Sequence, residues 1–218
     1  MKSVRSLEGV SAFRFHSYRS LRVMPDEGPF ALRGLRALRL SLLLALATNP
    51  RVLVLKFELA VPTGLDLPDA PTMLDAIIRC FQAIQASARK GQQLAQAAPS
   101  KAHNLTIRYF WRRDALPLVR PAYSLALFLN REAYSSGRHY RSGWDNDFSS
   151  GLLAAWAQVL GQSAQAARLL VKHPGYSVLH VRRGQGMGLS SAFQSLSPLC
   201  QTRHDTEGKS PTFGFGRV

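Results

Sequence analysis

Two adjacent β-rich segments joined by a short turn constrain most strongly what this chain can fold into. They span Asn104–Arg113 and Arg120–Asn130, and Ala115–Val119 lies between them. Polar and apolar side chains alternate in the first segment, which is typical of a strand because successive side chains point to opposite faces. The short connection predicts that the two strands form a hairpin.

Helical and strand patterns continue on both sides of this hairpin. A leading helix is followed by the order β-α-β-β-α-β-β-α, which predicts an α+β fold with a mainly antiparallel sheet of about five strands, covered by helices on one side. We expect residues 1–50 to form a basic arm and a helix, and residues 51–218 to form the α+β domain. The other predicted elements are helices Phe30–Thr48, Asp69–Ala97, Ser149–Gly161 and Leu189–Gln201 (kinked at Pro198), and strands Arg51–Val61, Arg168–His173 and Tyr176–Arg183.

The charge balance indicates a polyanionic partner. Lysine and arginine total 28 against 13 aspartate and glutamate, a formal net charge of +15. Nucleic acid is the default partner for such an excess, and an anionic membrane surface or an acidic protein is the competing interpretation. Apolar residues make up 46% of the chain, enough for a hydrophobic core.

Cysteine content and apolar run length indicate the compartment. Cys80 and Cys200 are the two cysteines, so neither a disulfide framework nor a zinc knuckle can be built. The apolar run Leu42–Ala47 is far too short to span a bilayer. The sequence therefore predicts a cytoplasmic protein without membrane association.

Arginines of the basic sheet face and of the predicted loop Arg131–Phe148 are the candidate nucleic-acid contacts. In that loop they are interleaved with aromatic residues, the composition of a single-strand clamp. The candidate contacts are Arg108, Arg112, Arg113, Arg138, Arg141, Arg182 and Arg183.

Short blocks from Leu55 onward carry a family resemblance. In this order and spacing they resemble the YagK/YfjJ C-terminal family, which is related to filamentous-phage replication proteins of the rolling-circle, HUH-type class. The resemblance covers roughly three quarters of the chain and implies a palm-like α+β fold that resembles the RNA-recognition motif. The blocks are Leu55–Leu59, Tyr109–Arg113 with Leu125–Asn130, Ala155–Gly161, and Ser197–Cys200 with Phe213–Arg217.

The resemblance also implies which chemical groups are missing. In the family, two histidines flanking one residue hold a divalent metal that polarises the scissile phosphate, and a tyrosine attacks it. The histidine positions correspond to Ala122 and Ser124, the tyrosine to Pro198 and a lysine to Gln201. We therefore expect an inactive, phage-related Rep-like protein without metal or other cofactor. It would bind single-stranded or hairpin DNA as an accessory, a regulator or a subunit of a nucleoprotein complex.

Three alternatives stay open at this stage. One is an active nicking endonuclease whose catalytic groups have relocated. Another is an RNA-binding subunit, because a sheet with arginines and aromatics can stack unpaired RNA bases as well as DNA. The third is a protein-interaction module with an acidic partner. The relocated groups of the first would be Tyr123, Tyr134 or Tyr140 as nucleophile, with His139, Asp145 and Asp147 near a metal.

Overall fold

The helices of the structure agree closely with the predicted ones. The computed structural model describes residues 6–7, 10–13, 16–24, 29–62, 65–66, 68, 70–95, 103–114, 122–134, 147–172, 178–201 and 213–218. Within them the helices are α1 Leu32–Thr48, α2 Ala70–Ala95, α3 Arg131–Tyr134, α4 Asp147–Val159, α5 Ala164–Ala167 and α6 Gly186–Leu196, and a 3₁₀ turn Ser197–Cys200 follows α6. The predicted kink at Pro198 is this turn, because proline cannot donate the hydrogen bond that would continue the helix.

An antiparallel sheet forms the centre of the fold. Its strands lie in the order β10-β6-β8-β7-β11, and β9 also pairs with β6. The predicted hairpin is β7 and β8, in register from Arg108 opposite Phe128 to Asp114 opposite Ala122. The α+β prediction is therefore confirmed. The strands are β1 Ser6–Leu7, β2 Val10–Phe13, β3 Ser17–Tyr18, β4 Leu21–Arg22, β5 Phe30–Ala31, β6 Arg51–Ala60, β7 Arg108–Asp114, β8 Ala122–Asn130, β9 Val171–Lys172, β10 Val178–Arg182 and β11 Phe213–Arg217.

Helices cover both faces of this sheet, so the prediction of helices on one side is wrong. One face packs with α2 and α4 around Phe57, Phe81 and Trp156, and we call it the α2 face. The other packs with α1 and α6 around Leu38 and Phe193, and we call it the α1 face. The physical reason is visible in β6 and β8, whose apolar runs are nearly continuous, as expected for strands buried on both sides.

The edge strand β11 was not predicted from the sequence. It pairs with β7 in antiparallel register from Phe213 opposite Arg112 to Arg217 opposite Arg108. Its two glycines permit a close approach, because a Cβ at Gly214 would lie 2.8 Å from the Trp111 ring and a Cβ at Gly216 would lie 2.5 Å from Tyr109 Oη. The alternating glycines therefore let these aromatic rings lie directly against the strand backbone.

The first 31 residues include short strands where an irregular arm was predicted. The strand β2 pairs with both β1 and β5, and β3 pairs with β4. Leu21 and Val23 are buried in the core of the α1 face. The predicted turn Ala115–Val119 and residues 135–146 of the predicted loop lie outside the described residues, whereas Arg131–Tyr134 is helical.

Candidate nucleic-acid interface

Polar side chains cross the α1 face at one end of the sheet. Ser124 on β8 is flanked by Glu58 on β6 and by Arg112 on β7. In the next row, Ala122 lies between Ala60 and Asp114. Directly opposite residues on neighbouring antiparallel strands have Cβ atoms about 5 Å apart. The two positions that the resemblance equates with metal ligands therefore lie on one face, two residues apart, beside a carboxylate and a guanidinium.

Arg112 links this row to the 3₁₀ turn after α6. Its Nη1 donates to the carbonyl oxygen of Pro198 at 2.6 Å. The charge of this guanidinium also acts on the buried thiol of Cys200. Burial raises the pKa of the Cys200 thiol, and the positive charge of Arg112 opposes that rise. Pro198, the position that the resemblance equates with the tyrosine, is thus tied by one hydrogen bond to the arginine that lies opposite Ser124.

One lysine pairs with the carboxylate of this row, and a second lies two residues before it on β6. Lys172 on β9 lies with its Nζ 3.5 Å from Glu58 Oε1. Lys56 lies on the same strand face as Glu58 and donates to the Ser195 hydroxyl at 3.3 Å. Glu58 therefore contacts β9, and Lys56 contacts α6. The Glu58 carboxylate is balanced by a cation, and an exposed pair of this kind stabilises the fold little.

The residues present at these positions do not fit a catalytic metal. Ala122 offers only a methyl group, and the Ser124 hydroxyl is a poor neutral ligand compared with imidazole. Among the described residues there is no group of three or more His, Cys, Asp or Glu side chains that could hold a metal ion. No metal-dependent step can be derived from this arrangement.

The two described tyrosines of the relocated-nuclease alternative are core residues. The Tyr123 hydroxyl donates to the Pro68 carbonyl at 2.7 Å, and the Tyr134 hydroxyl donates to the Leu105 carbonyl at 2.6 Å. Both side chains are fully buried, and burial raises the pKa of Tyr134 well above its ordinary value. A buried phenol hydrogen-bonded to a carbonyl cannot attack a phosphate, so the structure contradicts both as nucleophiles.

Most of the other groups proposed for a nuclease with relocated catalytic residues lie outside the described part of the chain. Tyr140, His139 and Asp145 lie outside the described residues. Asp147 is the first residue of α4. The idea that these groups form a metal-dependent nuclease therefore stays a prediction from the sequence.

The predicted arginine contacts do not share one face of the sheet. Arg108 and Arg112 lie on the α1 face, and Arg113 lies on the α2 face because it is opposite Tyr123. Arg112 is only 7% exposed and is engaged with Pro198, so it holds the fold together instead of offering a free guanidinium. Arg138 and Arg141 lie outside the described residues.

Arg182 and Arg183 are neighbours with different environments. Both line a surface groove of about 370 Å³ between α1 and the start of α6. The Arg183 guanidinium donates to the carbonyl oxygens of Leu46 and Ala47, at 2.6 and 2.7 Å. These carbonyls belong to the last turn of α1 and have no partner within the helix. Arg183 therefore caps α1, whereas Arg182 is exposed at the end of β10.

We expect Arg183→Ala to lower the free energy of unfolding by about 1–3 kcal/mol, because two charge-assisted hydrogen bonds to helix carbonyls are lost. The matched control is Arg182→Ala, which should change the unfolding free energy by no more than about 0.5 kcal/mol because the side chain is exposed. Urea denaturation followed by circular dichroism measures both values. Equal losses in the two variants would contradict the capping role of Arg183.

Exposed cations greatly outnumber exposed carboxylates on the described surface. The described, exposed carboxylates are Asp66 and Asp75. The described, exposed lysines and arginines are Arg19, Arg22, Arg33, Arg36, Arg51, Arg79, Arg89, Arg131, Arg168, Lys172, Arg182, Arg183 and Arg217.

No helix within the described ranges is both long and apolar enough to cross a membrane.

Two exposed residues of β11 were missed by sequence reasoning. Phe215 is 50% exposed and Arg217 is exposed, and both lie on the α1 face. The available signal was the alternation Phe-Gly-Phe-Gly-Arg in Phe213–Arg217, which places the two phenylalanines and the arginine on one strand face.

The fold and this polar row define an α+β protein built on an antiparallel sheet with helices on both faces. Residues 18–216 match the YagK/YfjJ C-terminal domain. The chain belongs to that family. No curated protein and no solved structure matches the chain.

Proposed function

We propose that this protein binds single-stranded or hairpin DNA as a catalytically inactive relative of rolling-circle, HUH-type replication proteins. Its role would be that of an accessory, a regulator or a subunit of a nucleoprotein complex. The α1 face and its edge would supply contacts to the phosphate backbone.

One observation carries the proposal. Arg112 lies opposite Ser124 in the sheet and hydrogen-bonds Pro198, although Arg112 and Pro198 are 86 residues apart in the sequence. In an enzyme that uses a metal-activated phosphate and an attacking tyrosine, these groups must lie close together around one phosphate. The link from Pro198 to the strand residue opposite Ser124, in a chain that has neither the metal ligands nor the nucleophile there, supports descent from such an enzyme.

The surface charge supports nucleic acid as the partner. A net charge of +15 and the many exposed arginines produce a positive potential that attracts a polyanion. Phosphate contacts made by such residues position a nucleic acid without reading its sequence. The expected binding is therefore strongly electrostatic and weakly sequence-specific.

The test is a titration of purified protein with labelled single-stranded DNA, hairpin DNA and matched RNA at 50 and 200 mM salt. If about five phosphates are neutralised, affinity for a single strand should fall about a hundredfold over this range. Mg²⁺ or Mn²⁺ is included, and the products are separated on a denaturing gel, where we expect intact oligonucleotides. Tighter binding of the matched RNA would favour the ribonucleoprotein alternative.

Polyglutamate of equal charge serves as the control ligand. If it competes as well as the oligonucleotides do, the partner is an acidic protein and the proposal fails. Salt-independent affinity would also contradict the proposal. Protein found covalently attached to cleaved DNA would show that the loss of ligands at Ala122 and Ser124 does not disable catalysis.

A further inference from the structure

Two arginines face each other across the edge of the sheet. Arg108 on β7 and Arg217 on β11 are direct cross-strand partners and lie on the α1 face. Like charges placed directly opposite each other on neighbouring strands destabilise a sheet. Neither side chain forms an ion pair with a carboxylate in the part of the chain that the structure describes. The fold therefore keeps an arginine pair that its own described residues do not neutralise.

The environment of Arg108 makes this pair costly. Its Nε is shielded from solvent and has no hydrogen-bond partner among the residues that the structure describes. Burial, followed by the nearby charge of Arg217, lowers the pKa of Arg108 from its ordinary value. An anion placed between the two guanidiniums would offset both effects, because it opposes their repulsion and offers an acceptor.

The backbone that carries Arg217 is held firmly, so the strand does not simply bend away. Ile107 and Val218 exchange main-chain hydrogen bonds of 3.1 and 2.8 Å directly beyond the arginine pair. Gln85 Nε2 also donates to the Val218 carbonyl at 2.8 Å. The backbones of the two arginines are thus fixed as cross-strand neighbours by main-chain hydrogen bonds at this end of the β7–β11 ladder and by Gln85 of α2.

An exposed aromatic ring lies beside the arginine pair. Phe215 is two residues before Arg217 and therefore lies on the same face of β11. Half of its surface is exposed, whereas Phe213 on the same strand stacks on Phe110 with ring centroids 6.1 Å apart. An exposed ring next to two cations combines base stacking with phosphate binding, the two interactions by which proteins hold single strands.

We propose that Arg108, Arg217 and Phe215 form a subsite for single-stranded nucleic acid, in which the arginines hold one phosphodiester and Phe215 stacks on an adjacent base. This inference rests on the proposed function and names the strand edge at which it is carried out. The phosphodiester and the base are common to DNA and RNA, so matched oligomers of both are used in the test.

The test measures fluorescence anisotropy of a labelled single-stranded oligonucleotide with the full chain. Arg217→Gln should weaken binding several-fold and reduce the slope of log affinity against log salt by about 0.7, the loss of one phosphate contact. Phe215→Leu should weaken binding about tenfold, because leucine keeps the apolar surface but cannot stack, whereas Phe215→Trp should bind at least as tightly as the wild type.

Matched controls separate this subsite from general charge and from folding defects. Arg79→Gln removes an exposed arginine on α2, and Leu169→Ala removes an exposed apolar side chain after α5, so both should leave affinity within about twofold of wild type. Arg217→Gln should keep or raise the melting temperature, because it removes a like-charge repulsion. A merely structural arginine would lower the melting temperature when it is replaced.

The outcomes are distinguishable. Wild-type protein that binds no single strand at low salt overturns the proposed function together with this subsite. Wild-type binding with equal losses in Arg217→Gln and Arg79→Gln overturns the subsite and leaves the proposed function standing. Unchanged affinity in Phe215→Leu together with a loss in Arg217→Gln overturns the stacking role of Phe215.

Discussion

We expect the double variant Ala122→His/Ser124→His to bind Co²⁺ and to melt about 5–10 °C higher when the metal is present at a hundred times its dissociation constant. The two positions are two residues apart on one face of β8, and Ser124 lies directly opposite Glu58. Two imidazoles and this carboxylate supply three ligands of the types that Co²⁺ and Zn²⁺ accept. The wild-type protein should show no such shift.

The melting temperature of each variant is measured with and without Co²⁺. This comparison is needed because an imidazole at position 122 must fit into a buried site and lowers stability by itself. Ala122 is 5% exposed, so overpacking there should lower stability by about 1–3 kcal/mol before metal is added. The single variants Ala122→His and Ser124→His are the controls and should show little stabilisation. Visible absorption of bound Co²⁺ gives a second readout of ligand geometry.

A folded double variant without a metal-dependent shift would count against the equivalence of these positions with the metal ligands of rolling-circle enzymes. Addition of Glu58→Gln to the double variant should reduce the metal affinity, because the carboxylate is removed with little change in shape. If the triple variant binds Co²⁺ as tightly as the double variant does, Glu58 is not the third metal ligand.

We expect Trp156→Ala to lower the free energy of unfolding by about 3–5 kcal/mol, a large part of the about 5–15 kcal/mol that holds a typical domain folded. Trp156 is fully buried on the α2 face, and its ring packs edge-on against Tyr123 with centroids 6.3 Å apart. Its Nε1 donates to the Ala60 carbonyl at 2.7 Å. The substitution removes the packing of α4 on β6 and leaves a buried carbonyl without its donor.

Trp156→Phe is the matched control for this substitution. It keeps an aromatic ring in the core and removes the hydrogen bond to Ala60, so its loss should be smaller, about 1–3 kcal/mol. Equilibrium denaturation with the tryptophan-independent signal of circular dichroism compares the variants. A loss below about 1 kcal/mol in Trp156→Ala would mean that this residue is not a packing centre of the α2 face.

Local sequence patterns determined most of the helices and strands. The hairpin β7–β8, the strand β6 and the helices α1, α2 and α4 follow from side-chain periodicity, which acts over a few residues and is therefore readable without a partner segment. Pro198 marked the end of α6 for a local reason as well, since proline cannot continue the helical hydrogen bonds.

Burial on both sheet faces could have been inferred but was not. The apolar runs of β6 and β8 leave few polar side chains for a solvated face, and this signal was outweighed by the expectation of a one-sided sheet. The error matters for function, because an open basic sheet face was the predicted interface. The structure instead places Arg112 and Ser124 at one end of the helix-covered α1 face, and Phe215 and Arg217 on the edge strand β11.

The sequence by itself determined most of the helices and central strands, the positive charge, and the presence of Ala122, Ser124 and Pro198 at the positions that the resemblance equates with metal ligands and nucleophile. Only the tertiary structure decided that Arg112, opposite Ser124, hydrogen-bonds Pro198, that Arg183 caps α1, and that Arg217 faces Arg108. These contacts join residues that are far apart in the chain. Their formation depends on strand order and register, which are set by the packing of the whole core and not by any local pattern.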